Sequence, residues 1–93
     1  MRYLTAAASE FKRVVRLLCG RKQAFSGRVG VKVLVWMPDR RIRDLDNLLK
    51  GLLDSISAAG VIVDDCQVDE IMMRREGVHK GGKIQVWMWS IAE

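Results

Sequence analysis

Three arginines stand just ahead of two aspartates in the run Pro38-Asp39-Arg40-Arg41-Ile42-Arg43-Asp44-Leu45-Asp46-Asn47-Leu48-Leu49-Lys50, and a second acidic pair, Asp64-Asp65, follows further along. Hard divalent cations such as magnesium take oxygen ligands and keep several waters, so a few carboxylates and a substrate phosphate complete a site. Asp44, Asp46 and Asp65 can supply those carboxylates. Residues two apart on a helix point about 200° apart, so Asp44 and Asp46 cannot share a ligand inside one regular helix. Asp44 is therefore expected at or before a helix start, with extended backbone and a side chain that either caps the free N–H groups or turns toward the site of Asp46. Lys50 lies one turn after Asp46 on the same face. It can contact a scissile phosphate or stabilise the charge that develops there, while the metal activates water or steadies the leaving oxygen.

Each of these residues also has a plainer reading. Asp44 can be only an N-cap, Asp46 only a favourable charge in the helix dipole, and Lys50 a surface ion pair worth a few tenths of a kcal/mol. The arginines can be a solvated loop, and Asp64-Asp65 a turn. Residue pattern alone leaves three readings open: a metal-dependent phosphodiester site, a non-catalytic nucleic-acid binder, and a dimerisation domain whose charges confer solubility.

Charge distribution bears on that choice. The net charge is +5, but residues 1–43 hold eleven Lys and Arg against two acids, while residues 44–93 hold five against nine. The first part carries +9 and the second −4. A basic half fits a polyanionic partner such as nucleic acid, where each neutralised phosphate releases counterions. An acidic remainder would repel that partner unless some carboxylates hold a cation, which inverts the local charge.

The elements that must position these residues follow from periodicity. Residues 6–19 read as a helix, with Phe11, Val14, Val15 and Leu18 on one side and Lys12, Arg13 and Arg16 on the other, Thr5 or Ser9 as its cap and Gly20 at its end. Lys12, Arg13 and Arg16, with Arg21 and Lys22 beyond them, can follow a DNA arm; Arg40, Arg41 and Arg43 would position the backbone rather than read bases. From Arg28 the period becomes two, predicting a strand that Pro38 closes, with Val29, Val31, Val33, Val35 and Met37 facing one way. Residues 45–59 return to helical spacing through Leu45, Leu48, Leu49, Leu52, Leu53 and Ile56 before Gly60. Residues 67–76 and 83–91 read as two strands of a hairpin turned at Gly81-Gly82.

The order α-β-α-β-β predicts an α+β fold, two helices packed on a small, mostly antiparallel sheet within a single domain over 1–93. Leu34, Trp36, Trp87 and Trp89 fall on the sheet face opposite Val33 and Val86. Two apolar faces in so small a domain point to a homodimer.

With 93 residues, 49% hydrophobic, the chain can bury one core and is too short for a multi-domain enzyme. No apolar run nears the roughly 20 residues of a membrane span, and the N-terminus lacks the apolar stretch of a secretory signal, so a cytoplasmic protein with no membrane partner is expected. Nothing points to an organic cofactor. Cys19 and Cys66 read as small buried hydrophobes in a reducing compartment, with Cys66 packed rather than metal-bound. His79 is expected to be exposed. Tyr3 and Phe25 are expected in the core, with stacking on unpaired bases as the alternative.

The arginine–aspartate run through Lys50, together with Ala59-Gly60-Val61-Ile62-Val63-Asp64-Asp65-Cys66-Gln67-Val68, resembles the RusA family of Holliday junction resolvases, carrying its DxDN…K and DDxQ elements at the family's spacing. Lys80-Gly81-Gly82 fits the family's last turn. The resemblance implies a homodimeric, magnesium-dependent endonuclease, with manganese able to substitute, that nicks two opposed strands of a four-way DNA junction in a bacterial or phage setting. It places the catalytic, metal-binding carboxylates on Asp44, Asp46 and Asp65 and the essential lysine on Lys50. A shortened relative that binds branched DNA without cutting it is the alternative. Family members usually begin with a strand, and this chain, starting almost at its first helix, is expected to lack it.

Overall fold

The computed structural model describes residues 3–20, 25–40 and 44–91, and within them every side chain except those of Tyr3, Leu4, Phe11 and Asp65. Arg21, Lys22, Arg41 and Arg43 lie outside the described residues. Six elements and a short 3-10 turn follow one another: β1 (Tyr3–Ala8), α1 (Phe11–Cys19), β2 (Val29–Met37), α2 (Leu45–Ala58), the turn Asp65–Gln67, β3 (Val68–Val78) and β4 (Lys83–Ser90). The strands form one mixed sheet in the order β1-β4-β2-β3. Two of the three pairings are antiparallel, β1 with β4 and β2 with β4, while β2 and β3 run parallel. An α+β fold of two helices on a mostly antiparallel sheet is thus observed.

Two features depart from the sequence-based expectation. A strand does precede the first helix. Residues 6–8, read above as the start of α1, belong to β1, where Leu4, Ala6 and Ala8 sit opposite Met88, Val86 and Ile84. Alanine favours a helix by a few tenths of a kcal/mol per residue, and cross-strand pairing that buries Ala6 against the core outweighs it. The helix starts later, with Glu10 as an N-cap that makes no side-chain capping bond, in place of Thr5 or Ser9.

Nor do β3 and β4 form a hairpin. β2 lies between them. Its odd-numbered row, Val29 through Met37, is at most 4% exposed, and a strand so thoroughly apolar is satisfied by neighbours on both edges rather than one. Gly81 and Gly82 do turn the chain at φ of 84° and 75°, but the turn spans across the end of β2, where the His79 N–H donates to the Met37 carbonyl at 2.8 Å. The connection from β2 to its parallel neighbour β3 is made by α2, as parallel pairing requires.

The core fills the space between the helices and one sheet face. Val14, Val15 and Leu18 of α1 and Leu52 and Ile56 of α2 meet the β2 valines and Ile84, Val86 and Met88 of β4. Phe25 is 1% exposed and joins this core through a parallel bridge to Ile62, so it is not available to stack on DNA bases. The opposite sheet face carries no helix among the described residues. There Trp36, Trp87 and Trp89 are half-buried. The Lys32 and Lys83 ammonium groups lie 4.9 and 4.8 Å from the ring centroids of Trp87 and Trp36, and Trp89 packs on Gly30 so closely that a Cβ there would overlap its ring.

Candidate functional site

The N-terminus of α2 presents the first group of candidate residues. Asp44 is its N-cap, with φ −84° and ψ 126°, and its carboxylate makes no capping hydrogen bond. Of the two roles open to an extended Asp44, capping is therefore not the one adopted. Asp46 occupies the first turn, exposed, and its Oδ1 accepts the Asn47 N–H at 3.0 Å. Lys50 is exposed one turn later. The helix is fixed by its opposite side, where Leu52 and Ile56 are fully buried, so the polar edge is held toward solvent. Leu48, one turn after Asp44, lines a cleft of about 140 Å³ with Met37 and Pro38 from the end of β2 and with Gly82.

Asp65 opens the 3-10 turn that lies against α2. What shapes this turn is Gln67, the single buried polar side chain among the described residues, 7% exposed. Its Oε1 accepts the Val63 and Asp64 N–H groups at 2.7 and 2.9 Å, and its Nε2 donates to the Phe25 and Gly27 carbonyls at 2.9 and 2.7 Å. One side chain thus bonds four backbone groups, the Phe25 carbonyl in the interior and the other three at its margin. Asp64 adds a local bond, its Oδ1 accepting the Cys66 N–H at 3.0 Å.

A second clamp is external. The Arg28 guanidinium donates to the Cys66 carbonyl at 2.8 Å and, from Nε, to Asp69 Oδ1 at 2.8 Å. It ties the start of β2 to the turn and to the start of β3. The hydrogen bond from Arg28 holds the Asp69 carboxyl below its usual 3.8, against slight desolvation and with some help from the Arg28 charge. A carboxyl with a depressed folded pKa stabilises the fold above its unfolded pKa and loses that contribution as pH falls through the folded value. Asp69→Asn should therefore lower thermal stability at neutral pH, and the gap from wild type should close below about pH 4; a gap independent of pH in a melting series would rule out the ion pair as its cause.

Neither Gln67 nor Arg28 stood out as structural in the sequence. Gln67 is the last residue of the DDxQ element, but nothing in its spacing shows a buried side chain bonded to residues some forty positions earlier. Cys19 and Cys66 are free and exposed rather than buried. The Cys19 thiol reaches the Ala59 carbonyl at 3.5 Å, joining the C-terminal ends of the two helices. His79 is exposed, as expected.

The structure brings Asp44, Asp46 and Lys50 together on the first turns of α2 and packs the Asp65 turn beside that helix. Among the described residues, no group of three or more His, Cys, Asp or Glu side chains converges as a metal site. The basic candidates Lys12, Arg13 and Arg16 are exposed along α1, and Arg40 is exposed ahead of α2. No helix among the described residues is long and apolar enough to cross a membrane.

The family model described as Endodeoxyribonuclease RusA matches residues 1–88. A protein of Enterobacteria phage HK97 named crossover junction endodeoxyribonuclease rusA is 48% identical over 59 residues, which are 63% of this chain and 49% of that protein. Proteins of the same name from Escherichia coli K12 and Enterobacteria phage 82 are each 41% identical over 58 residues, 62% of this chain and 48% of theirs. The aligned segment spans about half the length of these curated relatives.

Proposed function

The chain belongs to the RusA endodeoxyribonuclease family, and from that premise we propose that it is a magnesium-dependent, structure-specific endonuclease that resolves four-way DNA junctions by paired nicks, working as a homodimer in the cytoplasm of a bacterium or phage host. Residues 1–93 act as one domain in this reading. The observation that carries it is an N-cap aspartate, Asp44, with extended backbone and no capping bond, followed by exposed Asp46 and, one turn after Asp46, exposed Lys50.

The donor set fits magnesium. Asp44 and Asp46 are hard oxygen donors open to solvent, and a hydrated ion held by one or two carboxylates and a substrate phosphate needs no protein cage. Asp44, Asp46 and Asp65 would hold it, and manganese could replace it. When bound, the ion supplies a nucleophilic hydroxide or neutralises the leaving oxygen. The protein's own contributions are positional. Gln67 and Arg28 fix the turn that begins at Asp65, and the buried face of α2 fixes the backbone that carries Asp44 and Asp46. Lys50 directs its ammonium at the scissile phosphate and stabilises charge gathering on its oxygens. Arg40, Arg41 and Arg43, with Lys12, Arg13 and Arg16 on α1, grip the backbones of the junction arms, where contacts to phosphate set register and carry no sequence information.

Incubating a labelled synthetic four-way junction with the protein, with and without magnesium, tests this. Paired nicks in opposed strands, dependent on the metal, are expected, together with binding that weakens steeply with salt. Salt-sensitive, junction-specific binding without nicks in either magnesium or manganese would replace the enzyme with a DNA-binding module.

A further inference from the structure

All three tryptophans of the chain lie on the outer face of the sheet, the one without a described helix. The ladder between β4 and β2 sets them out in rows. Trp89 stands opposite Gly30, Trp87 opposite Lys32, Gln85 opposite Leu34, and Lys83 opposite Trp36. The core does not need these rings, because the other face of the same strands, through Val31, Val33, Val86 and Met88, packs against α1 and α2. Strand formation does not need them either, since threonine or valine serves as well on an outward row. Large aromatic side chains gathered on one open face point to a ligand.

Two further features say which ligand. Each lysine lies over the ring directly across the ladder from it, Lys32 over Trp87 and Lys83 over Trp36, at 4.9 and 4.8 Å from the ring centroids. Trp89 occupies the space where a Cβ on residue 30 would stand, so its ring is laid down across β2 rather than held off the sheet. Rings on an open sheet with cations among them suit the bases and phosphates of a single nucleic-acid strand. The sequences of β1, β2 and β4 contain no acidic residue. On β3, Glu70 lies at the Gly30 end and Glu76 is paired with Arg74.

We propose that this outer face is a second nucleic-acid site, which takes a single strand of DNA by stacking bases on Trp36, Trp87 and Trp89 and meeting phosphates with Lys32 and Lys83. It goes beyond the endonuclease reading, because it needs neither a metal nor the carboxylates of α2. In the free protein the two lysines cover rings that the strand would use. A stacked base is a stronger partner for such a ring than an exposed ammonium, and the displaced ammonium gains a phosphate, so the exchange favours binding.

The dimensions agree. At about 3.3 Å per residue, the face runs roughly 20 Å from Trp89 to the Lys83–Trp36 row, enough for a short run of nucleotides. That last row also borders the candidate site. Trp36 and Lys83 line the same cleft as Leu48, one turn after Asp44, so a strand on the outer face continues toward the N-terminus of α2. A second copy of the chain fits the face less well. Laid face to face, two copies would bring lysines toward lysines, with acids only on β3 to meet them, whereas a polyanion opposes every one of these cations.

A titration in chelator, where no metal site contributes, tests the face. An end-labelled oligothymidylate of about 12 nucleotides should bind and quench the tryptophan emission, all of which arises on this face. Trp87→Ala should raise the Kd roughly tenfold or more, while Trp87→Phe, which keeps a ring, should stay within about threefold of wild type. Lys32→Glu should raise the Kd roughly tenfold and flatten its salt dependence. This surface change keeps the test decisive even where Trp87→Ala does not fold. Arg13→Glu, an equal change of charge on α1 behind the sheet, should move the Kd by less than about twofold, since exposed charges so far away are screened. Polyglutamate at matched charge should not displace the strand. A wild type that is not quenched, a Kd that Lys32→Glu leaves unchanged, displacement by polyglutamate, or variants whose only effect, seen by sedimentation velocity, is to separate two copies would each overturn the assignment. The junction assay is read separately. A protein that nicks junctions without quenching loses this face and keeps the endonuclease, whereas one that binds the oligonucleotide and never nicks keeps the face and loses the endonuclease.

Discussion

Asp46→Asn is expected to abolish cleavage of a four-way junction while leaving its binding unchanged or tighter. Asp46 sits exposed in the first turn of α2, its backbone fixed by a helix whose other face is buried, so the substitution alters charge and little else. Losing one anionic ligand from a site of two or three carboxylates removes most of the affinity for a hard cation, since amide oxygen is a poor replacement for carboxylate. Nuclease rates that depend on a bound metal then fall by several kcal/mol of transition-state stabilisation, a loss on the order of a thousandfold or more. Binding responds oppositely, because the removed charge lay near a polyanion. Single-turnover cleavage and a gel-shift titration in calcium or chelator separate the two effects. If the variant nicks at the wild-type rate, Asp46 is not a ligand.

Gln67→Leu should produce the largest loss of stability of any single change near the site. Leucine has about the right volume, but it removes all four hydrogen bonds that Gln67 makes to the backbone of Val63, Asp64, Phe25 and Gly27. An unsatisfied buried backbone group costs about 1–3 kcal/mol, and some of the four will recover water as the turn loosens, so a net loss of about 3–4 kcal/mol is expected. For a domain of this size that corresponds to a fall in Tm of roughly 15 °C or more, measured by circular dichroism. The turn carrying Asp64 and Asp65 should also become accessible to hydrogen exchange before the rest of the sheet opens. A Tm within a few degrees of wild type would mean that the turn holds its shape without this side chain.

The two changes act on different links between sequence and function. The place of Asp46 in the first turn of α2 is legible in the sequence because it depends on spacing along one helix, which local rules set. The α2 stripe predicted over 45–59 is found at Leu45–Ala58, and the strand predicted from Arg28 to Met37 is found at Val29–Met37. In both, period and terminating residues agree with the tertiary environment. The run Tyr3–Ala8 is the counterexample. Alanine's helix propensity pointed one way, and pairing with β4, more than seventy residues distant in sequence, pointed the other and won.

What the sequence determined by itself was the chemistry available. It holds carboxylates and a lysine around one helix start, a basic first half, a family motif, and the periodicities of α2, β2, β3 and β4. Only the tertiary structure decided which groups are neighbours. It placed β2 between β3 and β4, left β3 as a long outer edge, exposed both cysteines, and buried Gln67 where it bonds residues on either side of a gap of some forty positions. The reason is physical. Periodicity records which face of an element is apolar, whereas strand order and buried hydrogen bonds depend on which distant segments meet that face, and no local pattern encodes the choice.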